Sequence, residues 1–115
     1  MARIFLTGGS GLLGNNIVRL AIDRGCLVST FTRDPNCHLP FADLPVELSV
    51  GELSDRDFIN QHVANCDVVV HSAAHIHIGW MQQDAALRVN RDGTQNVVNA
   101  AIEHRKPIVY VSTLN

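Results

Sequence analysis

Residues 7–14 of this chain read TGGSGLLG, with glycines 8, 11 and 14 spaced G-x-x-G-x-x-G. The stretch follows the apolar run RIFL and precedes NNIVRLAIDRG, so it falls where a strand hands over to a helix. Glycine weakens both element types, and a cluster of it at such a junction calls for a local task. The task these residues can perform is holding a phosphate. Gly8 permits a tight turn, Gly11 lets the backbone approach a pyrophosphate, and Gly14 lets the helix pack close to the sheet. The pyrophosphate would sit on free N–H groups at the positive end of the helix.

The elements that must position this loop alternate in kind. Runs rich in β-formers lie at 3–7, 27–31, 46–50, 67–72 and 107–113, three of them nearly continuous in apolar residues, as expected of strands covered on both faces. Between them, Leu12, Leu13, Ile17, Leu20 and Ala21 recur at helical spacing up to Gly25, which reads as a C-cap. Asp55 can cap a short helix through Phe58, Ile59 and Val63. A long helix from about 84 to 104 is expected to bury Leu87, Val97, Val98, Ala101 and Ile102, with Pro107 barring its continuation. Only the stretch from Arg33 to Pro45 lacks an assigned element. The order β-α-β-loop-β-α-β-α-β predicts an α/β fold, a Rossmann-type doubly wound parallel sheet, and right-handed crossovers give strand order 3-2-1-4-5.

Within that frame the second strand, LVSTFTRDP, bears on the cofactor. A carboxylate at its end suits the ribose 2′-hydroxyl of NAD, whereas an arginine suits the 2′-phosphate of NADP. Thr32 takes the acidic position and Arg33 follows it. A guanidinium can pair bidentately with phosphate and stack on adenine, so NADP is the expected cofactor, with NAD the alternative through Asp34.

Other reactive side chains point to no separate chemistry. His62, His71, His75 and His77 are dense enough to suggest zinc. The last three, however, begin on a strand and run into a loop, with no acidic or cysteine ligand close in sequence, and no metal site is expected. Cys66 precedes a strand without a neighbouring base and is not expected to be a nucleophile. The segment HIHIGWM (75–81) reads equally as an apolar substrate wall or as packing surface.

The bulk properties fit one globular domain: 115 residues, 46% apolar and 17% charged. A net charge of −2 offers no electrostatic footprint for nucleic acid or anionic lipid, and no apolar stretch approaches membrane-spanning length. The start of the chain shows no basic n-region or cleavage site. Cys26, Cys37 and Cys66 are scattered, as reduced thiols of a cytoplasmic protein would be.

At this point the motifs converge. TGGSGLLG resembles the T-G-x-x-G-x-x-G fingerprint of the short-chain dehydrogenase/reductase superfamily, in its extended epimerase/dehydratase/reductase branch. GELSD (51–55) is similar to that branch's G-D-L-T-D, CDVVVHSAA (66–74) to its C-D-V-V-F-H-L-A-A, and VNRDGTQNVVNAA (89–101) to its V-N-V-D-G-T-x-N-V-L-E-A-A. IVYVST (108–113) is similar to its fifth strand, and Arg33 before Asp-Pro leans toward dihydroflavonol-type reductases. The resemblance implies that Thr7, Gly8, Ser10, Gly11, Leu12, Leu13 and Gly14 form the pyrophosphate loop, and that Glu52 and Leu53 bracket the adenine. Glu52 departs from the family's Asp by one methylene. Ala73 and Ala74 would line the ribose and nicotinamide path, Asn90 would support the active site, and Thr113 stands at the catalytic Ser/Thr position.

In that superfamily a Tyr-x-x-x-Lys pair follows the fifth strand, the tyrosine acting as general acid/base. Here Tyr110 and Lys106 are four apart in the reverse order on an extended run, which is not that pair. The resemblance therefore implies that 1–115 is the N-terminal, dinucleotide-binding part of such a protein, without its substrate domain and inactive alone. Two readings stand: part of a reductase or epimerase acting on a carbonyl or nucleotide-sugar substrate, or a non-catalytic dinucleotide-binding or redox-sensing module. Expected partners are the dinucleotide, a small-molecule substrate and a second copy of the chain, through the 84–104 helix or the edge of the fifth strand.

Overall fold

The computed structural model describes residues 2–9, 12–33, 44–72 and 83–111, with 12 and 83–90 described by their backbone alone. Along these residues the order is β1 (Arg3–Thr7), α1 (Leu12–Asp23), β2 (Leu27–Thr32), β3 (Glu47–Val50), α2 (Arg56–Ala64), β4 (Val68–His71), α3 (Gln83–Glu103) and β5 (Ile108–Tyr110). The strands form one parallel sheet in the order β3-β2-β1-β4-β5, as the alternation of elements predicts. Of the unassigned stretch between Arg33 and Pro45, residues 34–43 lie outside the described residues.

Successive residues of a strand face opposite sides of the sheet. Phe5 and Val69 point to one face, where they join Ile59 and Val63 of α2 and Val97 and Ala100 of α3. Leu6, Val28 and Val70 point to the other, where Val18 of α1 is fully buried. The Asp55 carboxylate accepts from the Phe58 N–H at 3.1 Å and starts α2, which buries Ile59 and Val63.

Both helices turn part of the expected stripe inward, Ile17 and Ala21 in α1 and Val97 and Ala101 in α3, but leave Leu13, Leu20 and Ile102 facing solvent. In α1, Gly14 and Val18 are buried and Ile17, Ala21 and Ile22 half-buried, whereas Leu13 and Leu20 are 49% and 54% exposed. The cause is local: a Cβ on Gly14 would collide with the Gly8 carbonyl, so residue 14 must face inward. Leu13 and Leu20, seven apart on one line of the helix, are thereby turned to solvent. In α3 the buried stripe is Gly93, Val97, Ala100 and Ala101; Ile102 is 70% exposed, Val98 half-buried, and the Leu87 side chain lies outside the described residues. Gly93 faces inward because the Leu53 side chain occupies the space its Cβ would need.

Candidate functional site

Strand order reverses between β1 and β4, and in open α/β sheets the crevice beyond the carboxyl ends of the strands at that point is the ligand site. Thr7, the last residue of β1, sits in register with His71, the last of β4. Gly8 leaves β1 at φ +76, a left-handed conformation that an L side chain would resist. The chain then returns as α1, whose residue Gly14 packs on the Gly8 carbonyl, and a Cβ there would also come within 3.0 Å of Ser72 Oγ. The turn and the helix start are thus held together by two glycines that each meet a distinct steric demand.

Around this turn the buried groups are bonded to one another. Ser72 donates its N–H to Thr7 Oγ1 at 3.1 Å and its hydroxyl to the Thr7 carbonyl at 2.8 Å. The His71 ring is 1% exposed, with Nδ1 2.7 Å from Thr7 Oγ1 and Nε2 2.9 Å from Thr94 Oγ1 on α3. Burial holds the His71 pKa below the ordinary histidine range, which keeps the ring neutral. A neutral imidazole needs one donor and one acceptor, and two hydroxyls can supply both in either tautomer. Both ring nitrogens are therefore engaged with threonines. His62 packs its ring against Phe5 and Phe58, and His75 and His77 lie outside the described residues. Cys66 is buried, its Sγ 3.2 Å from the Val63 carbonyl, and burial raises its thiol pKa, the opposite of what a nucleophile requires.

At the far side of the edge, Thr32 ends β2 and its carbonyl accepts from the Gly51 N–H at 3.0 Å, while Arg33 beyond it is exposed. Glu52 is exposed and Leu53 half-buried in the turn after β3. Leu53 is held from α3: Asn96 Nδ2 donates to its carbonyl at 2.9 Å, and its side chain occupies the space a Cβ on Gly93 would need. Thr7, Gly8, Gly14, Thr32, Arg33, Glu52 and Leu53 thus share one edge of the sheet, with the backbones of Leu12 and Leu13 opening α1 beside them. Asn90 lies in α3 with its side chain outside the described residues, as do Ser10, Gly11, Ala73, Ala74 and Thr113 altogether. A polar pocket lined by Arg3, Ser29, Glu47, Gln61, His62 and Asn65 lies at the strands' opposite, amino edge, away from the glycine turn.

The residues that sequence reasoning missed are Gly93, Thr94 and Asn96. The stretch NRDGTQN points to Asn90 alone when read for the active site. A glycine inside a long helix is the available signal, since it costs helix stability and marks a close approach.

The model of the NAD-dependent epimerase/dehydratase family matches residues 4–115. A putative dihydroflavonol 4-reductase of Synechocystis sp. is 33% identical over 97 residues, covering 84% of this chain and 28% of the reductase. A dTDP-glucose 4,6-dehydratase of Streptomyces niveus is 34% identical over 127 residues, covering 96% of this chain and 38% of the dehydratase. The crystal structure of the Bordetella bronchiseptica enzyme WbmH in complex with NAD+ superposes at TM-score 0.79 and 28% identity, over 91% of this chain and 36% of that one. The chain spans about a third of the length of these relatives.

Proposed function

The chain belongs to the NAD-dependent epimerase/dehydratase family, and from that premise we propose that it binds a nicotinamide dinucleotide across the carboxyl edge of its sheet. It would do so as the cofactor-holding part of an enzyme that moves hydride to or from a carbonyl or nucleotide-sugar substrate. The observation that carries this reading is the cradle at the switch point: Gly8 at positive φ, with Gly14 seated on its carbonyl where no Cβ fits. A backbone stripped of side chains at the start of a helix fits a pyrophosphate, whose charge the first-turn N–H groups would receive.

In this proposal Thr7, Gly8, Ser10, Gly11 and Gly14 shape the pyrophosphate loop, with the N–H groups of Leu12 and Leu13 turned to the phosphates. Glu52 and Leu53 bracket the adenine, and Ala73 and Ala74 border the path of ribose and nicotinamide. Thr113 orients the substrate carbonyl and Asn90 supports the active site. When bound, the nicotinamide supplies or accepts the hydride. The chain's own residues bind it, keep the pyrophosphate end fixed and exclude water from the loop.

Arg33, exposed just past the end of β2 with Thr32 in place of a carboxylate, favours NADP(H) over NAD(H). One charge-assisted contact to the 2′-phosphate corresponds to roughly ten- to a hundredfold in affinity. Calorimetry of the full chain with both cofactors should find that preference, removed in Arg33→Ala. Equal affinities would overturn the NADP reading, and no binding of either would overturn the function. The setting is cytoplasmic. Val109 and Tyr110 are exposed on β5, an outer strand among the described residues, and suit self-association, which light scattering should detect as a mass above that of one chain. A mass of one chain at high concentration would reject it.

A further inference from the structure

α3 reaches two separate loops of the sheet edge with residues from a single helical turn. Thr94 meets His71 Nε2 at 2.9 Å, and His71 Nδ1 meets Thr7 Oγ1 at 2.7 Å, the side chain directly before the glycine turn. Two residues along the helix, Asn96 Nδ2 holds the Leu53 carbonyl at 2.9 Å, in the turn after β3. One position before Thr94, Gly93 has no Cβ because the Leu53 side chain lies there, its Cγ 2.8 Å from where a Cβ would stand. We propose that α3 sets the spacing between the two ends of the dinucleotide cleft, with Thr94 positioning the glycine turn through His71 and Asn96 positioning the loop after β3.

Each link holds a group that the sheet and helix ladders leave over. The Leu53 carbonyl lies past the end of β3, and the Asn96 side chain donates to it. Thr7 Oγ1 also receives the Ser72 N–H, so the Thr94–His71–Thr7 chain ties the ends of β1 and β4 to the same helix. A helix of 21 residues is a stiffer ruler than either loop. A dinucleotide must touch the pyrophosphate turn and the adenine loop at once, so an error in their separation is felt by the whole ligand. Preorganised spacing is what turns two weak contacts into one tight site. Neither Thr94 nor Asn96 needs to touch the cofactor; they are positioning residues.

This inference rests on the cofactor reading above, and the experiment separates the two. Thr94→Val keeps the shape and removes the hydroxyl; Thr94→Ser keeps the hydroxyl; Asn96→Leu removes the second link. In the free full chain, amide hydrogen exchange should quicken at 8–9 and 72 in Thr94→Val, and at 53–55 in Asn96→Leu, with Thr94→Ser at parent rates. Calorimetry with NADP(H) should then show both disrupting variants weakened on the order of tenfold, with Thr94→Ser restored. Variants that melt lower yet bind like the parent would reduce the links to ordinary packing and overturn the proposal. Parent protein that binds no dinucleotide would overturn the cofactor reading, while the exchange pattern would still decide whether α3 holds the two loops. Should Thr94→Val fail to fold, Asn96→Leu alone decides the outcome through its own loop.

Discussion

Phe5 and Leu6 are neighbours in β1, both essentially unexposed, yet they are received by different layers. Phe5 enters a face built by two helices, where Ile59, Val63, Val97 and Ala100 are buried and Phe31 and Phe58 extend an aromatic cluster. Leu6 enters the α1 face, where Val18 is the fully buried helix residue and Ile17, Ala21 and Ile22 are only half-buried. The groups that link α3 to the proposed cleft all lie on the deeper face, since Thr7 and His71 share the strand parity of Phe5 and Val69. The glycine turn and α1 lie over the thinner one. Among the described residues, the cleft is thus braced from the face on which more side chains are fully buried.

Paired truncations in β1 separate the two faces most strongly. Phe5→Ala should cost about 3–5 kcal/mol, because the two-helix layer cannot close over the lost ring. Leu6→Ala should cost less, about 2–3 kcal/mol, because half-buried neighbours on the α1 face can relax into the space. Urea unfolding of the two variants measures both. A larger loss for Leu6→Ala would mean that the α1 face is the more tightly packed of the two.

How much of this was legible in the sequence follows from which forces act locally. The order of elements and the Asp55 cap were readable because periodicity and capping are properties of neighbouring residues, and strand order followed from them through right-handed crossovers. The exposure of Leu13 and Leu20 was not, because the facing of α1 is set by Gly14 meeting the Gly8 carbonyl, a contact that apolar periodicity does not encode. Leu13 and Leu20 look like core residues in the sequence and are solvent-facing for that reason. Ile102 likewise looks like a core residue in the sequence, yet it is 70% exposed beside the buried Ala101. Of the site, the glycine turn was legible from its spacing, whereas Thr94 and Asn96 were not, since their partners lie 23 and 43 residues away.

A second difference between the faces is chemical. His62 and His71 lie on the deeper face, and burial lowers both pKa values below 6.5, with Glu47 partly offsetting this at His62. A histidine whose folded pKa is depressed binds fewer protons folded than unfolded, so stability rises with pH across that interval. The contribution is complete above the unfolded value of 6.5 and is lost as pH falls through it toward the lower folded values. The melting temperature should therefore drop between about pH 7.5 and about pH 5.5. His62→Phe, which keeps a ring between Phe5 and Phe58, should make that drop smaller. An unchanged slope in this variant would remove His62 from the account and leave His71 as the titrating group of the deeper face.

The smallest expected effect compares how a helix ends on each face. α1 closes with Gly25 at φ +81, its N–H bonded to the Ile22 carbonyl at 3.0 Å and the Cys26 N–H to the Ala21 carbonyl at 3.0 Å. α3 closes with the same pair of bonds, from Arg105 to Ile102 at 3.2 Å and from Lys106 to Ala101 at 2.8 Å, but with an arginine at φ +56. The left-handed conformation costs an L-residue about 1 kcal/mol that glycine escapes. A Cβ at Gly25 would meet nothing within 4 Å, so Gly25→Ala isolates that backbone cost and should destabilise by about 1 kcal/mol. Arg105→Gly should stabilise by about 0.5–1 kcal/mol, less the extra freedom that glycine gives the unfolded chain. Urea midpoints at unchanged slope read both signs. If Arg105→Gly instead lowers the midpoint, the exposed guanidinium contributes more at the negative end of α3 than its backbone conformation costs, and the two helix ends are alike in geometry but not in what stabilises them.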